Sequence, residues 1–295
     1  MTASVPPLIS CQYLKDNLDK TVVLDGSSHM PNSGRDARKE FRENGHLPGA
    51  RFFDVDTIKD PTNPLPHMMP SAEQFASQVG ELGISNNDHV VVYDTVGFFA
   101  APRVYWMFKA FGHKNVSVLN GGFKAWTAAG LPIEKGEREI EPKEYKVHPL
   151  NKDMIRDYQQ MLTIVNNQQS PVTVIDARPS PRFTGRAPEP RVGLSSGHMP
   201  RSKNVPFVEL FDMETGMLHT PEQLAAAYKR AGVDIDALKK HESRESNVVL
   251  SCGSGLTACV LYFSLEQLGL KNLAVYDGSW TEYASHPESP IIKDP

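Results

Sequence analysis

The chain has 295 residues, 40% hydrophobic and 22% charged, enough for two ordinary domains with ample core. A formal net charge of −4 argues against a general nucleic-acid binder, which would be basic overall, but leaves room for a local cationic pocket. No apolar run approaches the ~18 residues a membrane helix needs, and the start from Met1 to Ser10 lacks the basic region and long apolar stretch of a secretory signal.

In chain order, the first strand signal is "VVLDG" at 22–26, a run of β-branched and apolar residues stopped by a glycine. "GHLPGARFFD" (45–54) reads as a turn entering a short strand. "SAEQFASQVGELG" (71–83) reads as a helix with a serine cap and a glycine stop. Another strand, "HVVVYD" (89–94), is followed by "FGHKNVSVLNGGFKAW" (111–126), and a polar, Pro-containing stretch occupies 134–149.

The series then repeats. "VTVIDAR" (172–178), "GHMPRSKNVPF" (197–207), "TPEQLAAAYKRAG" (220–232), "NVVLSC" (247–252) and "LGLKNLAVYDGSWTEY" (268–283) follow the same order at nearly constant offsets. Short apolar strands alternating with helices predict an α/β fold in which a mainly parallel sheet is flanked by helices. Two such domains are expected, at 1–140 and 166–295, with 141–165 as linker and lead-in.

The copies differ where chemistry would sit. Asp94 in the first stands where the second has Cys252, and ligands of open α/β sheets gather at the carboxyl ends of strands. Cys252 ends a strand and opens the Gly-rich "CGSGLTAC", which runs into a helix. Inward-pointing N–H groups and the positive helix end would favour a thiolate there. A free cysteine is ordinarily a small buried hydrophobe; strand end, flanking glycines and following helix together favour the nucleophile. Cys259, inside the apolar helical run, keeps the ordinary reading, and so does Cys11. Three scattered cysteines make no disulfide framework, so a reducing compartment is expected: the cytoplasm, with a mitochondrial pool as the alternative.

"CGSGLTAC" closely resembles the active loop of the 3-mercaptopyruvate sulfurtransferases, with Leu256 where that family usually has Val. "GHLPGARFFDVD", "APRVYWMFKAFGH", "SVLNGGFKAW", "RFTGRAPEPRVG", "SGHMPRSKNVPF" and "YDGSW" also look like this family, in order and over almost the whole chain. The resemblance implies two tandem rhodanese-like domains, the first inactive and the second catalytic. Cys252 would carry sulfur from 3-mercaptopyruvate as a persulfide to a thiol acceptor such as thioredoxin, or to cyanide, releasing pyruvate without a cofactor. It assigns Arg182 and Arg191 to the substrate and places Gly253, Gly255, Leu256 and Thr257 around it. It also carries a proton relay onto Ser254, His67 and Asp56, with His67 reaching across from the first half. Without that match, the arginines would read as solvated loop charges, and His67 and Asp56 as turn residues. His46 and His198 occupy equivalent positions in both copies, which suggests a shared turn-stabilising role.

Three rivals follow from the loop. A thiosulfate sulfurtransferase usually has Arg and Lys after the cysteine, where Gly253 and Ser254 stand here. A cysteine phosphatase needs Arg six residues after the cysteine, and position 258 is Ala. A catalytically silent rhodanese module tends to lose the cysteine, as the first copy has done. There is no CxxC, HExxH or ligand-spaced Cys/His cluster for a metal, and no GxGxxG for a dinucleotide.

Overall fold

The computed structural model describes residues 5–30, 32–240 and 247–294. Its contacts divide the chain into two compact units. The first comprises residues 1–62, 69–151 and 211–218; the second comprises 63–68, 152–210 and 219–295. Each unit includes a short segment from the other half of the sequence, which strand periodicity does not foretell. Residues 152–165, read as lead-in, are folded parts of the second unit.

In the first unit the chain runs β1 (Leu8–Ile9), α1 (Cys11–Lys15), β2 (Thr21–Asp25), α2 (Ala37–Glu43) and β3 (Arg51–Phe52). It continues through α3 (Ala72–Glu81), β4 (His89–Tyr93), α4 (Ala101–Ala110), β5 (Val116–Leu119) and α5 (Gly122–Ala128). The sheet is parallel throughout, in the order β1-β5-β4-β2-β3. Strand β4 is central, and its Val90, Val91 and Val92 are fully buried, as a strand covered on both faces requires.

The second unit repeats this plan. It contains β6 (Ile155–Arg156), α6 (Tyr158–Asn166), β7 (Thr173–Asp176), α7 (Ser180–Phe183), β8 (Lys203–Asn204) and α8 (Pro221–Arg230). After these come α9 (Ile235–Lys240), β9 (Val248–Ser251), α10 (Ala258–Gln267), β10 (Leu273–Tyr276) and α11 (Ser279–Tyr283). Its sheet, β6-β10-β9-β7-β8, has the same order and is again parallel. Among the described residues, no helix is long and apolar enough to cross a membrane.

Local chemistry explains the matching helices. Helix α3 starts at Ser71 and α8 at Thr220. In both, the cap hydroxyl accepts from the backbone N–H three residues on, and Gln74 or Gln223 returns a bond to the cap's own N–H. The copies share a second device. His46 stacks on Phe41 at 4.0 Å and His198 on Phe183 at 4.1 Å, and each histidine forms a short antiparallel bridge, to Glu134 and Ile292 respectively. Both histidines therefore hold turns, as their equivalence suggests.

Candidate active site

The segment after β9 carries the nucleophile candidate. Val248, Val249 and Leu250 are fully buried, so the strand is fixed and Cys252, 1% exposed, leaves its carboxyl end at a defined point. Gly255 turns the loop with φ +77°, and α10 begins at Ala258. Cys259 lies inside that helix, fully buried, with its thiol directed at the Gly255 carbonyl at 3.4 Å. Cys11 opens α1 and packs half-buried against the core of the first unit.

The backbone of the loop is held from the α11 side. The Cys252 N–H donates to Ser279 Oγ at 3.2 Å, and the Cys252 carbonyl accepts from the Trp280 N–H at 3.0 Å. The Gly253 carbonyl accepts twice from Thr281, from its N–H at 2.9 Å and from its hydroxyl at 2.6 Å. Ser279 adopts φ +51°, a left-handed conformation that is uncommon outside glycine. Its buried hydroxyl also donates to the Tyr276 carbonyl at 2.8 Å.

Two guanidinium groups flank the loop. A methyl group at Gly253 would stand 3.3 Å from Arg182 Nη2 and 3.8 Å from Arg191 Nη1. Arg182 lies on the short helix α7, and Glu189 anchors it through both Nε and Nη2. The other oxygen of Glu189 takes a 2.8 Å bond from Arg178 Nη1. Arg178, 1% exposed, also binds Asp176 through Nε and Nη2, donates to the Gly197 carbonyl, and lies 3.9 Å from the Trp280 ring centre. A buried ion network therefore fixes Arg182 before any ligand arrives. Arg186, on the same loop, is exposed.

His67 belongs to the same compact unit as Cys252, because residues 63–68 pack there. Its Nδ1 lies 3.1 Å from Ser254 Oγ, both residues are 8% exposed, and His67 has φ +60°. A strained non-glycine backbone beside a buried polar contact is typical of functional sites. Asp56 lies in the other unit, in the turn after β3, where its N–H donates to Asp54 Oδ1 at 3.0 Å.

The rhodanese-like domain model matches residues 10–129 and 158–286. The chain belongs to the rhodanese family. It is 41% identical to the probable 3-mercaptopyruvate sulfurtransferase of Schizosaccharomyces pombe, over 92% of this chain and 89% of that one. It is 42% identical to the thiosulfate sulfurtransferase of Rattus norvegicus, over 88% and 84%. The crystal structure of SseA from Escherichia coli, described as a 3-mercaptopyruvate sulfotransferase with the rhodanese fold, superposes with a TM-score of 0.79. That match has 34% identity and covers 94% of this chain and 99% of the other. The two α/β domains expected from the repeat are thus observed in the sheets, and the tandem rhodanese architecture implied by the resemblance is observed in the family match.

Several residues around the rhodanese loop had no signal in motif spacing. Arg178, Glu189 and Thr281 act through contacts that span up to 28 residues of sequence. Ser279 had one readable signal: it stands where the first copy has Gly122, which has φ +53°. A serine in a position shaped for glycine indicates that its hydroxyl has a task.

Proposed function

We propose that this chain is a sulfurtransferase that takes sulfur from 3-mercaptopyruvate onto Cys252 and passes it to a thiol such as thioredoxin, or to cyanide. The observation that carries the reading is the convergence of Arg182 and Arg191 on Gly253, beside the nucleophile. The Cys252 thiolate attacks the substrate sulfur, the sulfur–carbon bond breaks, and its electron pair stays on carbon as pyruvate enolate. Protonation then gives pyruvate. The outer sulfur of the Cys252 persulfide is next attacked by the acceptor thiolate or cyanide, which regenerates the Cys252 thiolate.

An α-keto acid brings a carboxylate and a carbonyl oxygen that gains charge as the carbon departs. Forked, permanently charged guanidinium groups suit both. Arg182 and Arg191 fill these roles, with Gly253, Gly255, Leu256 and Thr257 forming the wall of the pocket. Ser254, His67 and Asp56 manage the proton, and the 3.1 Å contact between His67 and Ser254 supports the first two members. A reducing compartment, cytoplasm or mitochondrial matrix, would keep the three cysteines as thiols.

Incubation with 3-mercaptopyruvate should add one sulfur atom to the intact mass, and peptide mapping should find it on Cys252. Sulfur on Cys11 or Cys259, or full activity in Cys252→Ser, would refute the assignment. The thiosulfate sulfurtransferase relative supports a second donor. Sulfite leaves with its charge concentrated next to the cysteine. Arg182 and Arg191 stand nearby, but Gly253 and Ser254 add no cation of their own, so thiosulfate should be the poorer donor. The double change Gly253→Arg with Ser254→Lys should move the ratio of the two kcat/KM values toward thiosulfate. An unchanged ratio at fixed pH and ionic strength would mean that loop charge does not choose the donor.

A further inference from the structure

The two copies hold their loops in opposite ways. In the first unit, the buried carboxylate of Asp94 accepts from the backbone N–H groups of Val96, Gly97, Phe99, Ala100 and Ala101, at 2.6–2.9 Å. That loop is organised from within, by an anion belonging to its first residue. Cys252 carries no such acceptor array, so the N–H groups of its loop must be aligned from outside.

We propose that Thr281 is a positioning residue that does this. By taking the Gly253 carbonyl with two bonds, it turns the Gly253–Ser254 peptide so that the Ser254 N–H faces the Cys252 side chain. In a planar trans peptide the carbonyl and the following N–H point in opposite directions. A carbonyl fixed toward α11 therefore sends the Ser254 N–H away from it. The repeat gives the destination: Val96, two residues after Asp94 as Ser254 is after Cys252, directs its N–H at the Asp94 carboxylate. The Trp280 bond to the Cys252 carbonyl has a counterpart in the first unit, where the Phe123 N–H donates to the Asp94 carbonyl at 3.1 Å. Lys124 stands where the second unit has Thr281, and its amine is engaged with the Met213 carbonyl at 2.7 Å. The hydroxyl strap thus accompanies the cysteine, not the fold.

This role presupposes Cys252 as the sulfur carrier. Thr281→Val keeps the size and the N–H but removes the hydroxyl, whereas Thr281→Ser keeps the hydroxyl. In Thr281→Val, single-turnover formation of the Cys252 persulfide from 3-mercaptopyruvate should slow roughly three- to tenfold. KM should stay near the parental value, because Arg182 and Arg191 are untouched, and Thr281→Ser should restore the rate. Alkylation of Cys252 by iodoacetamide needs no sulfur donor. Its pH midpoint should rise in Thr281→Val, because a misaligned N–H stabilises the thiolate less. A parental rate and midpoint in Thr281→Val, or Thr281→Ser as slow as Thr281→Val, would overturn the role. If the parental chain accepts no sulfur from 3-mercaptopyruvate while Thr281→Val still raises the midpoint, the donor assignment fails and the positioning role stands.

Discussion

The loops after β4 and β9 begin from the same strand position and end as different devices. Asp94 is 1% exposed, and its two carboxylate oxygens share five backbone N–H bonds, so the first loop is complete without a ligand. Cys252 is equally buried, but its backbone is tied to Ser279, Trp280 and Thr281, and two guanidinium groups stand beside the next residue. One sheet design therefore supports either a loop organised by its own buried carboxylate or a loop tied from a neighbouring helix, with guanidinium groups beside a buried thiol. The residue that ends the central strand, together with what lies behind it, decides which.

The largest expected effect comes from exchanging that residue. Cys252→Asp should abolish sulfur transfer entirely, because no thiolate remains. It should also raise thermal stability, since a carboxylate there would meet loop N–H groups and the guanidinium groups of Arg182 and Arg191. Loss of activity with a falling unfolding midpoint in calorimetry would show that the second loop does not present its N–H groups as the first does. The reverse break is Asp94→Ala, which leaves several buried N–H groups without an acceptor. It should destabilise the first unit by about 3–5 kcal/mol in urea unfolding. A change below about 1 kcal/mol would mean that the loop is held by packing alone.

The sequence showed the repeat and the loop because each depends on local order: apolar strand, glycine turn, capped helix. The two arginines stood out only through the family resemblance. The sequence did not show what holds them. Glu189 anchors Arg182, Arg178 neutralises Asp176 and lies against Trp280, and Thr281 takes the Gly253 carbonyl. These contacts come from loops that meet only in the folded chain. The resemblance put His67 with Ser254 by reaching across from the first half; what periodicity did not show is that residues 63–68 belong to the second unit. Asp94, read as the absence of a nucleophile, is an organising group in its own right.

Effects of intermediate size should follow from the guanidinium groups. On the proposed binding role, Arg182→Ala and Arg191→Ala should each lose a charge-assisted contact to the substrate, expected to contribute about 1.5–3 kcal/mol, or roughly ten- to a hundredfold in kcat/KM for 3-mercaptopyruvate. The two should differ in stability. Arg182→Ala leaves Glu189 buried, with Arg178 still beside it, and should lower the unfolding midpoint more than Arg191→Ala does. Equal stability losses would mean that Glu189 does not anchor Arg182 in solution.

The smallest effect separates the strand ends after β2 and β7. Asp176 has Arg178 two residues on, and its carboxylate is paired with that guanidinium. Asp25 has Ser27 in that place, and its carboxylate accepts the Ser27 N–H at 2.9 Å. Burial first, and the nearby charge of Asp94 to a lesser degree, push Asp25 up from 3.8 to about 6, against the bonds from Ser27 and Tyr93 that lower it. An acid whose folded pKa is raised stabilises the fold fully below about pH 4, and this contribution is lost as pH rises toward about 6. The pKa difference caps the loss at about 3 kcal/mol. Asp25→Asn keeps an oxygen for Ser27 but cannot ionise, and its amide must be housed in a buried site. We expect it to gain about 1–2 kcal/mol over the parental chain above pH 6, and nothing below pH 4. Unfolding curves for both chains at pH 4, 5, 6 and 7.5 would test this, and a difference independent of pH would show that Asp25 does not titrate in that window.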